Sequence, residues 1–327
     1  MRNQPELWKF IAARLKNGRP VMLLVVAESS GSSPGRRGYK MAVGSDGELC
    51  GSIGGGVMEI ALAEQAKFQL EDFKSQPAAE VIEQVHRKNS PNSSGMICSG
   101  SQTVIFRVLA PADAAAVEAI IDRLPPMQSH YLMISPQAFA VTHQPPASPL
   151  QEAGFEKLGD TDFTYIEKIG PANDLYIIGG GHCALALSEI MSKMDFHIRI
   201  FDDRPGLNTI EKNRFAHEIT IIDAYDRIAD FIAEGPHIYV AVMTLGYKSD
   251  ETVIRRLIDR EFRYFGVLGS KAKMAELLKS LRDGGCDENN LAKIRTPIGI
   301  PINSRTPEEI AVSIAAEIIA IKNGGII

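Results

Sequence analysis

Apolar residues along this chain follow two rhythms. From Val21 to Leu109 they come in short runs, Val21–Glu28, Lys40–Val43, Glu48–Ile53 and Thr103–Leu109, separated by glycine- and serine-rich breaks. Runs of this length read as strands, and Ser45-Asp46-Gly47 between two of them is a hairpin signal. Val57–Asp72 is of helical length, and Trp8, Ile11, Ala12 and Leu15 fall on one helical face closed by Gly18. "PADAAAVEAIIDRL" predicts a further helix, "HYLMI" and "AFAVTH" a second hairpin, and "DFTYIEKI" a strand beyond the loop marked by Pro145, Pro146 and Pro149. Short strands joined by tight turns around a few helices describe a mostly antiparallel α+β domain.

Beyond Gly170–Asn173 the pattern becomes strand then helix, repeated. Leu175–Ile178, Ile198–Phe201, Ile219–Ile222, Ile238–Met243 and Tyr264–Leu268 are apolar runs of strand length, and their alternation with helical patterns implies a parallel sheet with helices on both faces. Ala184–Met194, Tyr225–Ala233, Glu251–Arg260 and Lys271–Arg282 carry helical patterns between them. A last helix is predicted by Thr306 as N-cap, Pro307 at the first helical position, Glu309 completing a capping box, and Gly324 close beyond its end. The predicted fold is therefore α/β: an N-terminal α+β domain over residues 1–170 and a Rossmann-like, doubly wound parallel sheet over residues 171–327.

Composition narrows the function classes. The 327 residues are 45% apolar and 23% charged, enough to bury a core in each half. The net charge of -5, without runs of one sign, argues against a nucleic-acid surface. No apolar stretch approaches the ~20 residues of a membrane span. Cys50, Cys98, Cys183 and Cys286 are widely spaced, with no CxxC pair, so a disulfide framework or structural zinc is not expected and a reducing cytoplasm is the simplest setting.

Two glycine turns carry the candidate chemistry. In "LYIIGGGHCALALSEI", Gly179, Gly181 and Ala184 fit G-x-G-x-x-G/A between a strand and a helix, and Asp202 and Asp203 end the next strand, where a ribose-binding acid sits in dinucleotide sites. Such a turn suits a phosphate-bearing ligand; the plainer alternative is a turn that only packs tightly. His182 is an acid–base candidate or a solvated loop histidine. The neighbouring strand ends carry Asp223, Met243-Thr244-Leu245 and Gly269-Ser270-Lys271, with Ser270 read first as an N-cap and Lys271 as an optional anion contact. In "GSIGGGVMEIALAEQ", Gly54, Gly55 and Gly56 open onto another helix, with Glu59 just inside it to complement the dipole. Upstream, Arg36, Arg37 and Lys40 are expected to come close to this turn and offer cations to phosphate; the alternative is a mobile loop kept soluble by its arginines. Cys98, in a Gly/Ser loop, is either an exposed reactive thiol or an inert one.

"GSSPGRRGYKMAVGSDGELCGSIGGGVMEIAL" resembles the signature of the xanthine dehydrogenase accessory factor family, XdhC/CoxI, and "GMICSGSQTVIF" takes the place of its cysteine loop. "LYIIGGGHCALAL", "FDDRP", "VLGSKAKMAELL" and "TPIGIPINSRTPEEIAVSIAAEIIAIKNG" are similar to the family's Rossmann domain, so the likeness covers nearly the whole chain. The resemblance implies a cytoplasmic chaperone rather than an enzyme. Such a protein binds molybdenum cofactor (molybdopterin), protects it during sulfuration with a cysteine desulfurase, and delivers it to a molybdenum hydroxylase such as xanthine dehydrogenase, acting as a homodimer. It gives Cys98 the role of a metal contact and both glycine turns a share of the cofactor's anionic groups across an interdomain cleft. Three positions depart from the family pattern: Cys98-Ser99-Gly100 where Cys-Gly-Gly is usual, Leu245 and Tyr247 in "MTLGYKSD" where histidines are frequent, and Ala184 in place of glycine. The alternative from the residues alone is an NAD-dependent oxidoreductase or a nucleotide-binding regulator. Asp202 and Asp203 would favour NAD over NADP, but no hydride-site constellation accompanies them.

Overall fold

The structure is a computed structural model that describes residues 5–74, 78–85, 100–123, 130–145, 153–159 and 161–325. Two compact units divide the chain, Met1–Pro171 and Ala172–Ile327. The first begins with α1 (Pro5–Lys16), β1 (Val21–Gly31), β2 (Lys40–Gly44), β3 (Leu49–Gly51), α2 (Gly56–Glu71), β4 (Ala79–Val85) and β5 (Gly100–Leu109). It continues with α3 (Ala114–Arg123), β6 (Tyr131–Ile134), β7 (Phe139–Thr142), β8 (Ala153–Lys157) and β9 (Phe163–Lys168). These form two antiparallel sheets, β3-β2-β1-β5-β4 and β7-β6-β9-β8.

The first sheet is covered on both faces, and strand alternation decides which side chain goes where. Met22, Leu24, Val26, Met41, Val43, Val104 and Phe106 pack beneath Met58, Leu62 and Ala66 of α2. Val21, Leu23, Val25, Ala42 and Ile105 face the other way, into a core shared with α1, α3 and the second sheet. Lys40 has the parity of Ala42. Its side chain is buried at 1% exposure, its Nζ 2.9 Å from the Gly38 carbonyl and 2.5 Å from Glu167 of β9, which also accepts the Tyr165 hydroxyl at 2.6 Å. The sequence expectation that Lys40 lies beside the glycine turn as a free cation is therefore corrected. Its charge is spent inside the core, on the face away from α2.

The second unit contains β10 (Asn173–Ile178), α4 (His182–Met191), β11 (Phe196–Asp202), α5 (Asn208–Glu211), β12 (Glu218–Ile221), β13 (Gly235–Val242), α6 (Tyr247–Leu257), β14 (Phe262–Val267), α7 (Lys271–Asp283), α8 (Glu288–Leu291) and α9 (Pro307–Lys322). The five strands are parallel in the order β12-β11-β10-β13-β14. Leu175, Ile177, Ile198, Ile200 and Ala241 pack against α4 and α9, while Ile178, Val240, Val242 and Val267 pack against α6 and α7. This is the Rossmann-like doubly wound sheet that the alternation of apolar runs and helical patterns predicts. The capping box of α9 forms as read: Thr306 accepts the Glu309 amide while Glu309 accepts the Thr306 amide. One helix is not where the pattern puts it, because Tyr225–Asp230 is a short 3-10 turn.

Replacing Lys40 with Met should strand the Glu167 carboxylate in the core and destabilise the protein by about 3–5 kcal/mol. Lys40→Met combined with Glu167→Leu should recover most of that loss. Urea unfolding of the two variants beside the wild type checks both expectations.

Candidate functional site

In the second unit, β10 ends at a turn that only small residues can make. Gly179 has φ +109, and a Cβ there would lie 2.3 Å from the Met243 carbonyl oxygen at the end of β13. A Cβ on Gly180 would come within 2.6 Å of the Ile210 side chain, whereas one on Gly181 would meet nothing within 4 Å. The Gly180 amide donates to Asp202 Oδ2 at 2.6 Å, and its carbonyl accepts the Thr209 hydroxyl at 2.5 Å. The turn is thus tied down on both sides. It delivers extended Gly181 as the N-cap of α4, where no side chain caps the helix. The first-turn amides of α4 have no intrahelical acceptor and point out of the helix end, an arrangement that attracts anions.

Asp202 is fully committed to this scaffold. It is completely buried; Oδ1 accepts the Arg204 amide at 2.9 Å and Nε at 2.8 Å, and Oδ2 accepts Arg204 Nη2 at 2.7 Å. Burial by itself would raise its pKa, but the bonds from Arg204 and from the Gly180 amide outweigh it and hold the carboxyl below the usual range. A sugar hydroxyl has no oxygen left to address there. Asp203 is different: its side chain is 38% exposed and Arg204 Nε stands 4.0 Å away. Beside it, burial first and the charges of Asp202 and Asp203 second push the Tyr225 phenol up, so it stays a neutral group.

The sheet order reverses between β10 and β13, and ligands of such sheets bind at that reversal. The residues gathered there include several that the sequence reading passed over. Thr244 Oγ1 donates to Asp250 Oδ1 at 2.6 Å, and Lys273 Nζ donates to Asp250 Oδ2 at 2.7 Å. Asp250 is fully buried in the first turn of α6, while the Lys273 side chain remains 31% exposed. Ser270 is the N-cap of α7, as read, accepting the Lys273 amide, and the anchored cation at this edge is Lys273. The signal was the helical spacing of "GSKAKM", in which the third residue after the cap returns toward the strand ends. His182 opens α4 at the same edge, exposed.

The first unit brings its own motifs together. A Cβ on Gly35 would lie 2.1 Å from the Ile53 carbonyl oxygen, one on Gly54 2.5 Å from the Gly35 amide nitrogen, and one on Gly100 2.8 Å from the Ser33 amide nitrogen. Buried Gln102 joins all three segments, accepting the Ser33 hydroxyl at 2.7 Å and donating to the Ile53 carbonyl at 2.9 Å. Gly54, Gly55 and Gly56 all have positive φ, as the tight turn requires. Several donors of this turn, however, are already occupied. Glu59 Oε2 accepts the Ser52 hydroxyl at 2.7 Å, the Ile53 amide at 2.8 Å and the Gly55 amide at 2.9 Å. Arg37 donates to Glu28 and to the Ala153 carbonyl. Arg36 is exposed, its guanidinium 3.5 Å from the Gly31 carbonyl. Cys98 lies outside the described residues. Burial pushes the thiols of Cys50 and Cys183 up, so neither is an activated thiolate. Among the described residues no cluster of three or more ligating side chains could hold a metal ion, and no helix is long and apolar enough to cross a membrane.

Comparison with known proteins decides the family. Residues 175–318 match the XdhC Rossmann domain and residues 14–82 match the XdhC and CoxI family. The chain belongs to the XdhC and CoxI family. It is 25% identical over 94% of its length to a probable subunit of xanthine dehydrogenase from Bacillus subtilis, covering 94% of that protein. It is 22% identical over 96% of its length to the molybdenum cofactor insertion chaperone PaoD of Escherichia coli, covering 87% of it. An uncharacterized protein of E. coli, YqeB, is 24% identical over 95% of the chain, which spans only 46% of that longer relative. A solved Bacillus halodurans structure described as a xanthine dehydrogenase shares the fold, with a TM-score of 0.73 at 22% identity over 98% of this chain and 96% of that one.

Asp202→Asn should cost about 2–3 kcal/mol near neutral pH, since it removes the charge from a carboxylate held by two amides and a guanidinium. Because the folded carboxyl titrates below its ordinary 3.8, this stability is present above that value and is lost as pH falls through the lower folded value. The gap between wild type and variant should therefore close only below about pH 4, as followed by unfolding curves across pH.

Proposed function

We propose that this protein is an accessory factor in the maturation of molybdenum hydroxylases: it holds molybdenum cofactor and passes it to an apo-enzyme of the xanthine dehydrogenase type. The observation that carries the reading is the uncapped N-terminus of α4 at the sheet reversal, opened by His182, with the Lys273–Asp250 pair on the same sheet edge. Its amide donors and a partly exposed ammonium suit the phosphate of a pterin cofactor. The family and the names of two relatives, an insertion chaperone and a component of xanthine dehydrogenase, support the same role. On this reading Gly179, Gly181, His182 and Lys273 hold the phosphate end. In the first unit, Cys98 is the soft thiolate suited to a molybdenum centre that receives sulfur, and Arg36 is a cation for an anionic group. A cysteine desulfurase, a homodimer and a cytoplasmic setting complete the proposal.

A second reading keeps the fold and changes the guest. The exposed Asp203 carboxylate at the end of β11 favours a nucleotide whose ribose it would accept, with NAD or a related molecule regulating transfer.

Gly181→Asp separates binding from folding. Gly181 is extended and has open space at its Cβ, so aspartate fits, and as an N-cap it is compatible with the helix. Its carboxylate would sit on the α4 amides as Glu59 sits on those of the first turn. After expression in a host that makes molybdopterin, pterin fluorescence of the purified variant should fall at least tenfold while the melting temperature holds or rises. Undiminished pterin would remove α4 from the site, and saturable NAD binding without pterin would favour the second reading. Cys98→Ser should retain pterin but lose bound molybdenum by metal analysis; full metal content would demote the thiol.

A further inference from the structure

Four cations line one cavity of about 230 Å³ in the second unit, on the outer edge of its parallel sheet. Arg260 and Arg263 come from the segment entering β14, and Lys293 and Arg295 from the segment that leaves α8 and runs beside β14, bridging it at Gly266. Ile258, Phe262, Phe265 and Ile321 supply apolar and aromatic walls. The cavity follows the side edge of the terminal strand and its amino-terminal half, so it is separate from the reversal point, where β10 and β13 end.

The charges in this cavity are poorly compensated. Lys293 stands 3.5 Å from Glu261, a carboxylate that is itself 83% exposed. The three guanidinium groups have no carboxylate partner among the described residues. Arg260 donates to the Ile232 carbonyl, Arg263 donates to the Ile321 carbonyl at 2.9 Å, and the side chain of Arg295 makes no hydrogen bond or ion pair among the described residues. Nearby acids are otherwise engaged: Asp259 accepts the Asn290 side-chain amide at 3.0 Å, and Glu317 takes the Tyr264 hydroxyl and the Gly299 amide. In a chain of net charge -5, four cations converging on one concave, partly apolar surface form a focused positive potential. Neutral carbonyls fix two of the guanidinium groups in place without cancelling their charge. Stability alone does not call for such an arrangement.

We infer that the β14 edge carries a second ligand site, one that takes a small organic phosphate with a planar or apolar body. The cations receive the phosphate by bidentate and single contacts. Phe262 and Ile258 receive the body, and the Asn290 amide stands beside them as a polar contact. A cavity of this size admits a mononucleotide-sized guest in part and excludes a longer chain.

The test uses the full-length protein with AMP and inorganic phosphate as probes, followed by calorimetry at low salt. AMP should bind more tightly than inorganic phosphate, and its binding should weaken at least tenfold in Lys293→Ala/Arg295→Ala. Both residues are exposed, and their side chains hold no buried partner, so the variant should fold as the wild type does. Gly181→Asp should keep this binding event, which distinguishes it from any nucleotide bound at the reversal point. Should AMP bind at full stoichiometry to the double variant, no more tightly than phosphate to the wild type, or not at all once Gly181 is replaced, the inference is overturned.

Discussion

At the end of β10 there is room for a hydrogen atom and nothing larger. The chain must turn there while the carbonyl of Met243 passes so close that a methyl group would overlap it, and this one approach fixes where α4 begins. Everything at the edge of the parallel sheet follows from it. Gly179 takes a left-handed conformation that a side chain would resist, Gly180 lies between Asp202 and Ile210, and only Gly181 faces open space. Asp202 is the peg of this arrangement: one buried carboxylate fastens the turn to β11 through Gly180 and holds Arg204 in place at the same time. A residue that satisfies four donors gives rigidity, and for that reason it has nothing left for a guest.

The two glycine turns show how little a motif says until its donors are counted. Both follow a strand, both open a helix, and both rely on glycine for close backbone approach. In the first, Glu59 folds back from the helix and accepts two turn amides and a serine hydroxyl, so the concavity already contains an anion. In the second, the position one turn into α4 is occupied by apolar residues, Ala184 and Leu185, and no carboxylate returns. Each turn has one carboxylate on its amides, Glu59 on Ile53 and Gly55 and Asp202 on Gly180, and neither helix start carries a side-chain cap. The carbonyl of Ile53, the Ser33 hydroxyl and Gln102 make the first corner a knot between three segments, a strong reason for its glycines without any ligand.

Long-period features of the fold were legible in the sequence because they depend on many residues at once. Five apolar runs of strand length alternating with helical patterns point to a parallel sheet, and Thr306-Pro307-Glu309 specifies a helix start through local bonds alone. Two edge strands were not legible. β4 (Ala79–Val85) breaks Val81, Ile82 and Val85 with Glu80, Glu83 and Gln84 without a period of two, and β8 (Ala153–Lys157) carries only Phe155 as a large apolar residue, so neither rises above a polar loop until a partner strand supplies its hydrogen bonds. Side-chain direction was less legible. Lys40 was expected near the first glycine turn, but its side chain goes into the core, drawn by an acid that lies more than a hundred residues onward in Glu167. The same holds for Asp250 and Lys273, whose pairing at the sheet edge is created by the parallel topology and by nothing local.

For a protein whose proposed work is to hold a guest and then release it, the nature of the donors matters as much as their number. A helix terminus contributes on the order of 0.3–1 kcal/mol to an anion at an exposed site, and about 2 kcal/mol in partly buried geometry. A fully desolvated ion pair would bind more tightly but would leave a costly unpaired charge on departure. At the end of β10 the strong pairs are all internal: Arg204 with Asp202, and Lys273 with Asp250. Lys273 keeps its partner whether or not a ligand is present, so a departing anion leaves no buried charge behind. The amides of α4 return to solvent at little cost. Internal partners fix the cradle, and the α4 amides together with the already paired Lys273 ammonium meet the cargo, a division that allows both retention and handover.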